Sequence, residues 1–431
     1  MMIDFKDRIQ PFLKKGSFRR NVAVMSSGTA ISQVLYLLFY PVLTRIYSPV
    51  DFGQYAVFIA LLSILTIFAT GQYELAIMLP KKETAYKRII LATVILAVLL
   101  TFFITILLYA LAPILIDKFN LLSSPILIPI LGASILINSF YQVAIYISLR
   151  NKVFSIISIV NIINVIVSIS FQYTFFKLGF GPIGLITGFM MGTLVAMALL
   201  MYKNRKLFNL GNQKYSFGEI REVFIRYRKF PLFNLPATIV NLLANQSPQL
   251  LLNNFSQAVV GNFALSQRVL GSPVSLFSAS VSYVFKEKAS YDYRNKGSCK
   301  VIFLKTFKSL LLISLVPFIL IFFLSPALVP IIFGEGWEEA GLYIQILAIM
   351  YLLKFTVSPL TYVLIIAEKQ KLNFIIQSTL LVLVLISLMV GVIQKSPLLA
   401  ITLYSMSYSM IYILFFIISY KVSQNEEKNI R

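Results

Sequence analysis

The sequence predicts an all-α integral membrane protein with about twelve transmembrane helices, arranged as two six-helix bundles related by an internal repeat. Three observations predict it. The 431 residues are 58% hydrophobic and 13% charged, with a mean hydropathy of +0.83, whereas soluble globular proteins are ~45 to 50% apolar. Twelve apolar stretches each approach or exceed the ~20 residues that cross a hydrocarbon core. Finally, Phe255–Ala264 (FSQAVVGNFA) echoes Tyr47–Ala56 (YSPVDFGQYA) at an offset of 208, with Ser256 on Ser48, Gly261 on Gly53 and Ala264 on Ala56. The offset is close to half the chain, as in transporters built from two like halves.

Residues 1–20 are polar and basic and carry no cleavage pattern after a short apolar core, so they read as a cytoplasmic lead and not a signal peptide. The spans follow at 21–44, 54–73, 89–113, 125–149, 153–176 and 180–202, which form the N-terminal bundle, 21–202. A cytoplasmic linker, 203–229, precedes the spans at 230–252, 257–285, 301–333, 340–366, 372–393 and 397–420, the C-terminal bundle, 230–420. Residues 421–431 form a cytoplasmic tail.

The basic residues support this layout. Of 38 Lys and Arg, 32 fall on the side that holds the N-terminus, and only Arg45, Lys118, Lys177 and Lys395 fall on the other. This is the positive-inside pattern, and it places both termini in the cytoplasm. The net charge of +22 is therefore a topology signal, and no nucleic-acid partner is expected. Zero histidines and a single cysteine, Cys299, remove the commonest metal ligand and general base and any intramolecular disulfide. No metal, cofactor or catalytic residue is expected.

The two remaining cations, Arg268 and Lys354, lie deep inside spans, whereas Lys305 and Lys308, counted above with the N-terminal side, sit near the start of the 301–333 span. A cation at that depth costs roughly 2.5 to 3.5 kcal/mol on insertion scales. None of the 16 Asp and Glu lies in a span interior; Glu74 and Asp51 sit at span ends. Arg268 and Lys354 either snorkel or bond to carbonyls and amides, or face a cavity that receives an anion.

Span seven carries Asn234, Thr238, Asn241, Asn245 and Gln249 at intervals of 4, 3, 4 and 4, one helical face. Span one repeats the idea with Ser26, Thr29 and Gln33, followed by Tyr36 and Tyr40. Polar stripes in hydrocarbon either join helices or line a wet cavity; five polar side chains on one face point to a cavity. Pro41, Pro236 and Pro248 are expected to bend these helices. Gly184, Gly188 and Gly192 form GxxxGxxxG, a close-packing signal, and Glu335, Trp337, Glu338 and Glu339 read as a solvated outer cap with an interfacial Trp.

Four blocks carry a resemblance: PVLTRIYSPVDFGQYAVF (41–58), QYELAIMLPK (72–81), YRKFPLFNLPATIVN (227–241) and VVGNFALSQRVLGSP (259–273). They resemble the O-unit and capsular polysaccharide flippases of the multidrug/oligosaccharidyl-lipid/polysaccharide exporter superfamily. The resemblance implies a V-shaped pair of bundles around a central cavity, in the inner membrane of a bacterium. It also implies alternating access that carries an undecaprenyl-pyrophosphate-linked oligosaccharide to the periplasmic leaflet for O-antigen or capsule biosynthesis. The implied partners are the lipid-linked oligosaccharide, membrane lipids, a polysaccharide polymerase and a chain-length regulator. Cavity cations in such flippases hold the pyrophosphate, which makes Arg268 and Lys354 the candidates here, with Arg45 next. The family often has Arg before the Tyr-Glu of span two, where this chain has Gln72 before Tyr73 and Glu74.

Three alternatives stand beside this. A drug or cation antiporter of the same superfamily needs an intramembrane carboxylate, where this chain has cations. A membrane polymerase or glycosyltransferase needs a sizeable outer loop with catalytic residues, and the outer loops here are mostly short. A scaffold for glycan assembly leaves the polar stripes unexplained.

Overall fold

The computed structural model describes residues 18–80, 82–118, 124–205 and 216–424. Most of the 1–20 lead, most of the 421–431 tail and residues 206–215 of the linker lie outside the described residues. The helices are α1 (Phe18–Ile46), α2 (Pro49–Thr70), α3 (Glu83–Ala110), α4 (Leu127–Arg150), α5 (Phe154–Lys177), α6 (Pro182–Lys203), α7 (Phe217–Arg226), α8 (Leu235–Leu252), α9 (Gln257–Lys296), α10 (Lys300–Phe333), α11 (Glu338–Val357), α12 (Gln370–Ile393) and α13 (Pro397–Ser423). Four of them lead into or out of tighter or wider turns: a 3₁₀ turn Tyr73–Met78 after α2, a π turn Ile114–Lys118 after α3, a π turn Phe230–Asn234 before α8, and a 3₁₀ turn Ser358–Tyr362 after α11 that runs into Val363–Ile366.

Among the described residues, ten helical segments are long and apolar enough to cross a membrane. Ten of the twelve expected spans are represented there. The expected spans at 230–252 and 257–285 form α8 and α9, helices of 18 and 40 residues, but they are not among the ten. The reason is compositional: Asn241, Asn245, Gln246 and Gln249 dilute α8, and a run of serines dilutes α9.

The chain divides into two compact units, Met1–Tyr47 with Val57–Ile239, and Ser48–Ala56 with Val240–Arg431. In the first unit the small-residue run of α6 does what its spacing suggests. A Cβ on Gly192 would lie 1.9 Å from the Ser168 Oγ and one on Gly188 2.5 Å from the Gln172 Cγ, so α5 and α6 approach to a distance that only glycine permits. Gln172, fully buried, donates through Nε2 to the Leu185 carbonyl at 3.1 Å, and its own backbone carbonyl accepts from the Tyr47 hydroxyl at 2.8 Å. Ile77, Tyr86, Ile89, Val143, Ile147 and Val223 form an apolar cluster of this unit, where the amphipathic α7 of the linker docks. α7 opens on a capping box, the Ser216 side chain accepting from the first turn and Glu219 reaching back to the Ser216 amide, and Glu219 also pairs with Arg88 of α3.

In the second unit α11 is central, packed on α9, α10 and α13. Serine hydroxyls bond across these seams: Ser266 to the Ala340 carbonyl at 3.0 Å, Ser325 to Gly341 at 3.0 Å and Ser405 to Ile346 at 2.8 Å. Each satisfies a polar group that hydrocarbon cannot. Trp337 departs from the expected interfacial position. It is buried, 1% exposed, with the Phe52 ring edge-on at 5.3 Å, a geometry that adds about 0.5 to 1.5 kcal/mol to the area the rings bury. Nor is Glu339 simply solvated: its Oε2 accepts from the Tyr343 hydroxyl at 3.0 Å and from Asn262 at 3.4 Å.

Candidate functional site

The Asn and Gln stripe of α8 meets different surroundings at successive turns. Asn241 and Asn245 are exposed and joined to each other, the Asn245 Nδ2 donating to the Asn241 carbonyl at 2.8 Å and to its Oδ1 at 3.1 Å. They line a cavity of about 180 Å³ in the second unit, together with Val240 and Ala244. The opposite walls are Lys354 at the end of α11, Ser358 and Thr361 from the 3₁₀ turn that follows, Asn373, Gln377 and Leu380 from α12, and Tyr408, Tyr412 and Phe415 from α13. A water needs ~10 to 15 Å³ of such volume, so the cavity has room for a polar headgroup.

Lys354 is the one charged residue among the lining residues, and none of them is an Asp or Glu. Its Nζ lies 5.5 Å from the Tyr351 ring centroid and 5.9 Å from that of Tyr408, so two aromatic faces share the positive charge. Lys354 also sits in the last turn of α11, where the helix dipole favours a cation. These weak partners hold the ammonium without neutralising it. An anion entering the cavity meets an uncompensated positive charge ringed by amide and hydroxyl donors.

The stripe changes character one turn further along. Gln249 is buried, its amide paired with that of Gln267 at 2.7 Å, and Gln267 reaches the Tyr404 hydroxyl at 3.4 Å. Arg268, on α9, is half-buried and is not among the residues that line this cavity. The other expected site residues lie in the first unit. Thr238 accepts from the Gln72 Nε2 at 2.9 Å, Thr29 donates to the Met25 carbonyl at 3.1 Å, and Gln33 is half-buried while Asn234 and Arg45 are exposed. The Ser26 side chain is outside the described ones. The structure therefore brings Lys354, Asn241 and Asn245 to one cavity.

Sequence reasoning missed the aromatic wall. Tyr404, Tyr408 and Tyr412 recur every four residues on α13, with successive centroids 4.8 and 6.2 Å apart, and Asn373 and Gln377 are likewise four apart on α12. Both patterns are visible as i, i+4 repeats in strongly apolar spans.

With the fold and cavity described, comparison with known proteins gives a family. The family described as "Polysaccharide biosynthesis protein" matches residues 42–342. The chain belongs to that family. The match contains all four resemblance blocks except Pro41, and it agrees with the polysaccharide-exporter reading they carry. No curated protein sequence matches the chain. Among solved structures, "Lipid II flippase MurJ, inward closed conformation" aligns with a TM-score of 0.74 at 16% identity, over 93% of this chain and 90% of that one. An inward-facing multidrug resistance MATE family transporter of the MOP superfamily aligns at 0.61 and 15%, over 96% and 97%. A mutant of the Vibrio cholerae MATE transporter VcmN aligns at 0.57 and 13%, over 93% and 95%. At these identities the likeness is one of fold, and it is the all-helical fold of flippases and transporters.

Proposed function

We propose that this member of the polysaccharide biosynthesis family is a flippase for undecaprenyl-pyrophosphate-linked oligosaccharide repeat units. The units would move from the cytoplasmic to the periplasmic leaflet of a bacterial inner membrane, by alternating access, in O-antigen or capsule biosynthesis. The observation that carries the reading is the Lys354 cavity: a single cation with no carboxylate among the lining residues, and four amide side chains around it. Lys354 seats the pyrophosphate, while Asn241, Asn245, Asn373 and Gln377 offer the donors and acceptors that sugars require. Tyr408 and Tyr412 supply aromatic surface. Arg268 and Arg45 are proposed as further phosphate contacts along the route. The stripe residues Ser26, Thr29, Gln33, Asn234, Thr238 and Gln249 form the polar path or its supports. A polymerase and a chain-length regulator are the partners such a pathway implies.

The multidrug antiporter reading shares the fold, but a positive cavity repels a cationic drug. An interior-negative potential also assists outward movement of an anionic headgroup, by roughly 2.3 kcal/mol per charge per 100 mV. The test is export of lipid-linked glycan in cells that hold each variant at wild-type abundance. Lys354→Gln is expected to lower export by on the order of tenfold or more, the loss of a charge-assisted contact. Lys354→Arg keeps the charge and is expected to retain part of the activity. Normal export by Lys354→Gln removes the cavity from the mechanism.

A further inference from the structure

The outer face of α10 carries two cations that the transport reading does not use. α10 has 34 residues, about 51 Å of helix at 1.5 Å per residue, while a hydrocarbon core is ~30 Å thick. The excess lies at its N-terminal end, because Ser309–Phe333 holds no charged residue and is by itself long enough to cross the hydrocarbon. Lys305 and Lys308 therefore stand at the level of the lipid headgroups. Both are exposed, and with the exposed Ser309 they occupy one side of the helix. Among the ten spans of the described residues, α10 is the least buried.

Cations at other span ends are engaged. Lys87 pairs with Glu83 at 3.0 Å and Arg88 with Glu219, Arg150 gives its guanidinium to the Ile77 carbonyl at 2.8 Å, and Arg205 lies 4.8 Å from the Tyr202 ring centroid. At the corner between α9 and α10, Asp292 is taken by Lys296 at 2.8 Å, and Lys300 leans over the Tyr420 ring at 5.7 Å. Lys305 and Lys308 form no ion pair among the described residues. Three positions apart on a helix, they are neighbours of like charge, an arrangement that destabilises unless an anion lies between them.

Below this pair the same side is apolar. Leu312, Leu315, Val316 and Ile319 are exposed and follow at helical spacing. They lead to a groove of about 240 Å³ lined by Phe318, Phe322 and Phe323 of α10 and Ala348, Ile349 and Leu352 of α11. Half a hydrocarbon core, ~15 Å, is the rise of about ten residues of helix, and Phe318 follows Lys308 by that interval. An acyl chain that starts at headgroup level beside Lys308 thus reaches the groove as it nears the midplane.

We propose that this face of α10 seats one anionic phospholipid: its phosphate lies between the Lys305 and Lys308 ammoniums, and an acyl chain runs along Leu312, Leu315 and Ile319 with its end in the groove. Charge and shape both select this occupant. Two cations without a counter-ion at headgroup level attract a phosphate, and a zwitterionic phospholipid would bring a cation of its own to the same place. A partner helix would have to present a carboxylate at that level and apolar groups below it; an anionic phospholipid holds both in one molecule. Because α10 and α11 share the groove, the lipid binds the packed pair and stabilises it. The seat stands apart from the transport reading, since Lys354 and its cavity take no part in it.

The experiment is native mass spectrometry of the full-length protein in detergent, titrated with dioleoyl phosphatidylglycerol or with dioleoyl phosphatidylcholine. One phosphatidylglycerol is expected to be retained at concentrations where phosphatidylcholine is not. The double variant Lys305→Gln/Lys308→Gln is expected to weaken that retention on the order of tenfold, whereas Lys369→Gln/Lys371→Gln, an equal loss of charge at the start of α12, leaves it at wild type. Ile349→Trp fills the groove from an exposed position, keeps both cations, and is expected to weaken retention severalfold. Equal retention of the two lipids, or an equal loss in the two double variants, overturns the proposal by reducing the seat to annular lipid or to diffuse surface charge. Retention untouched by Ile349→Trp overturns it as well, by taking the chain out of the groove. Tighter retention of undecaprenyl phosphate than of phosphatidylglycerol, lost in Lys305→Gln/Lys308→Gln, overturns it by assigning the seat to a carrier lipid. None of these readings involves Lys354 or export, so they fail independently of the export test.

Discussion

Gly53 and Gly261 cross where the two echoing stretches of the chain meet. A Cβ built on Gly261 would lie 3.0 Å from the Gly53 amide nitrogen and 1.9 Å from the Pro49 carbonyl oxygen; one on Gly53 would lie 1.8 Å from the Gln257 carbonyl oxygen. Pro49 and Gln257 are themselves 208 positions apart, as are the two glycines. Each glycine thus receives the backbone of the residue four before its counterpart, the reciprocity of a local two-fold axis. Gln54 locks the crossing, its Nε2 donating to the Gln257 Oε1 at 2.8 Å. The Gly53/Gly261 identity, one of those that suggested a repeat, is the one that lets its two copies touch.

The crossing predicts a specific sensitivity to a single methyl group. Gly53→Ala and Gly261→Ala each drive a Cβ into backbone, which cannot rotate away, and overpacking of this kind costs about 1 to 3 kcal/mol. Gly218→Ala is the control, because its Cβ would meet only the Ser216 Oγ at 3.8 Å. Thermal unfolding in detergent should show lower midpoints for the two crossing variants and no loss for the control. Because the two sites share neighbours, the double variant should cost less than the sum of the singles. Equal midpoints for all three single variants would show that the crossing yields easily.

The native thiol should be almost inert. Cys299 is 1% exposed and its amide donates to the Ser423 carbonyl at 2.9 Å; burial, with the Asp292 charge adding to it, pushes the thiol up to about 11. Since the thiolate is the nucleophile, alkylation at neutral pH should be slower than at an exposed cysteine by about a hundredfold. It should rise about tenfold per pH unit toward that value. The sign for stability follows from the raised folded value: the contribution is full below the ordinary thiol range and is lost as pH climbs toward about 11. Fast alkylation of folded wild type at about pH 7 would contradict the burial.

The fold was legible in the sequence because hydrocarbon imposes a length and cytoplasm a charge. Both rules hold along the chain whatever the helices pack against. The site was legible in part. Lys354 stood out because a cation in an apolar span is costly wherever it points, and Asn241 and Asn245 because their spacing is helical. That spacing could not say where on the face the cavity ends. Gln249, on the same stripe, is taken up by Gln267, and Thr238 by Gln72, partners 18 and 166 residues away that no local pattern contains. The tyrosine ladder of α13 went unread for a related reason: Tyr is ordinary in apolar spans, and only the ammonium beside Tyr408 gives it a role. Glu74 looked like a span-end charge, because the break that buries it, where Gly71 and Gln72 both take positive φ, is only a pair of residues long.

The division of the α8 stripe gives the sharpest test of which polar groups serve packing and which serve the cavity. Thr238 and Gln249 are held by partners on other segments, so Thr238→Val and Gln249→Leu each leave an amide unpaired in a protein interior. Each is expected to cost about 0.5 to 1.5 kcal/mol, read as a lower unfolding midpoint and reduced abundance in the membrane. Asn241 and Asn245 bond only one another in the described structure and face the cavity, so Asn241→Leu and Asn245→Leu should leave midpoint and abundance near wild type. Their effect should appear in export, lowered severalfold at equal protein level, because leucine removes donors and acceptors from the cavity wall opposite Lys354. If Asn241→Leu and Asn245→Leu instead destabilise the protein while Gln249→Leu is silent, the stripe joins helices at the turns assigned here to the cavity. The cavity would then have lost the polar wall on which its proposed role depends.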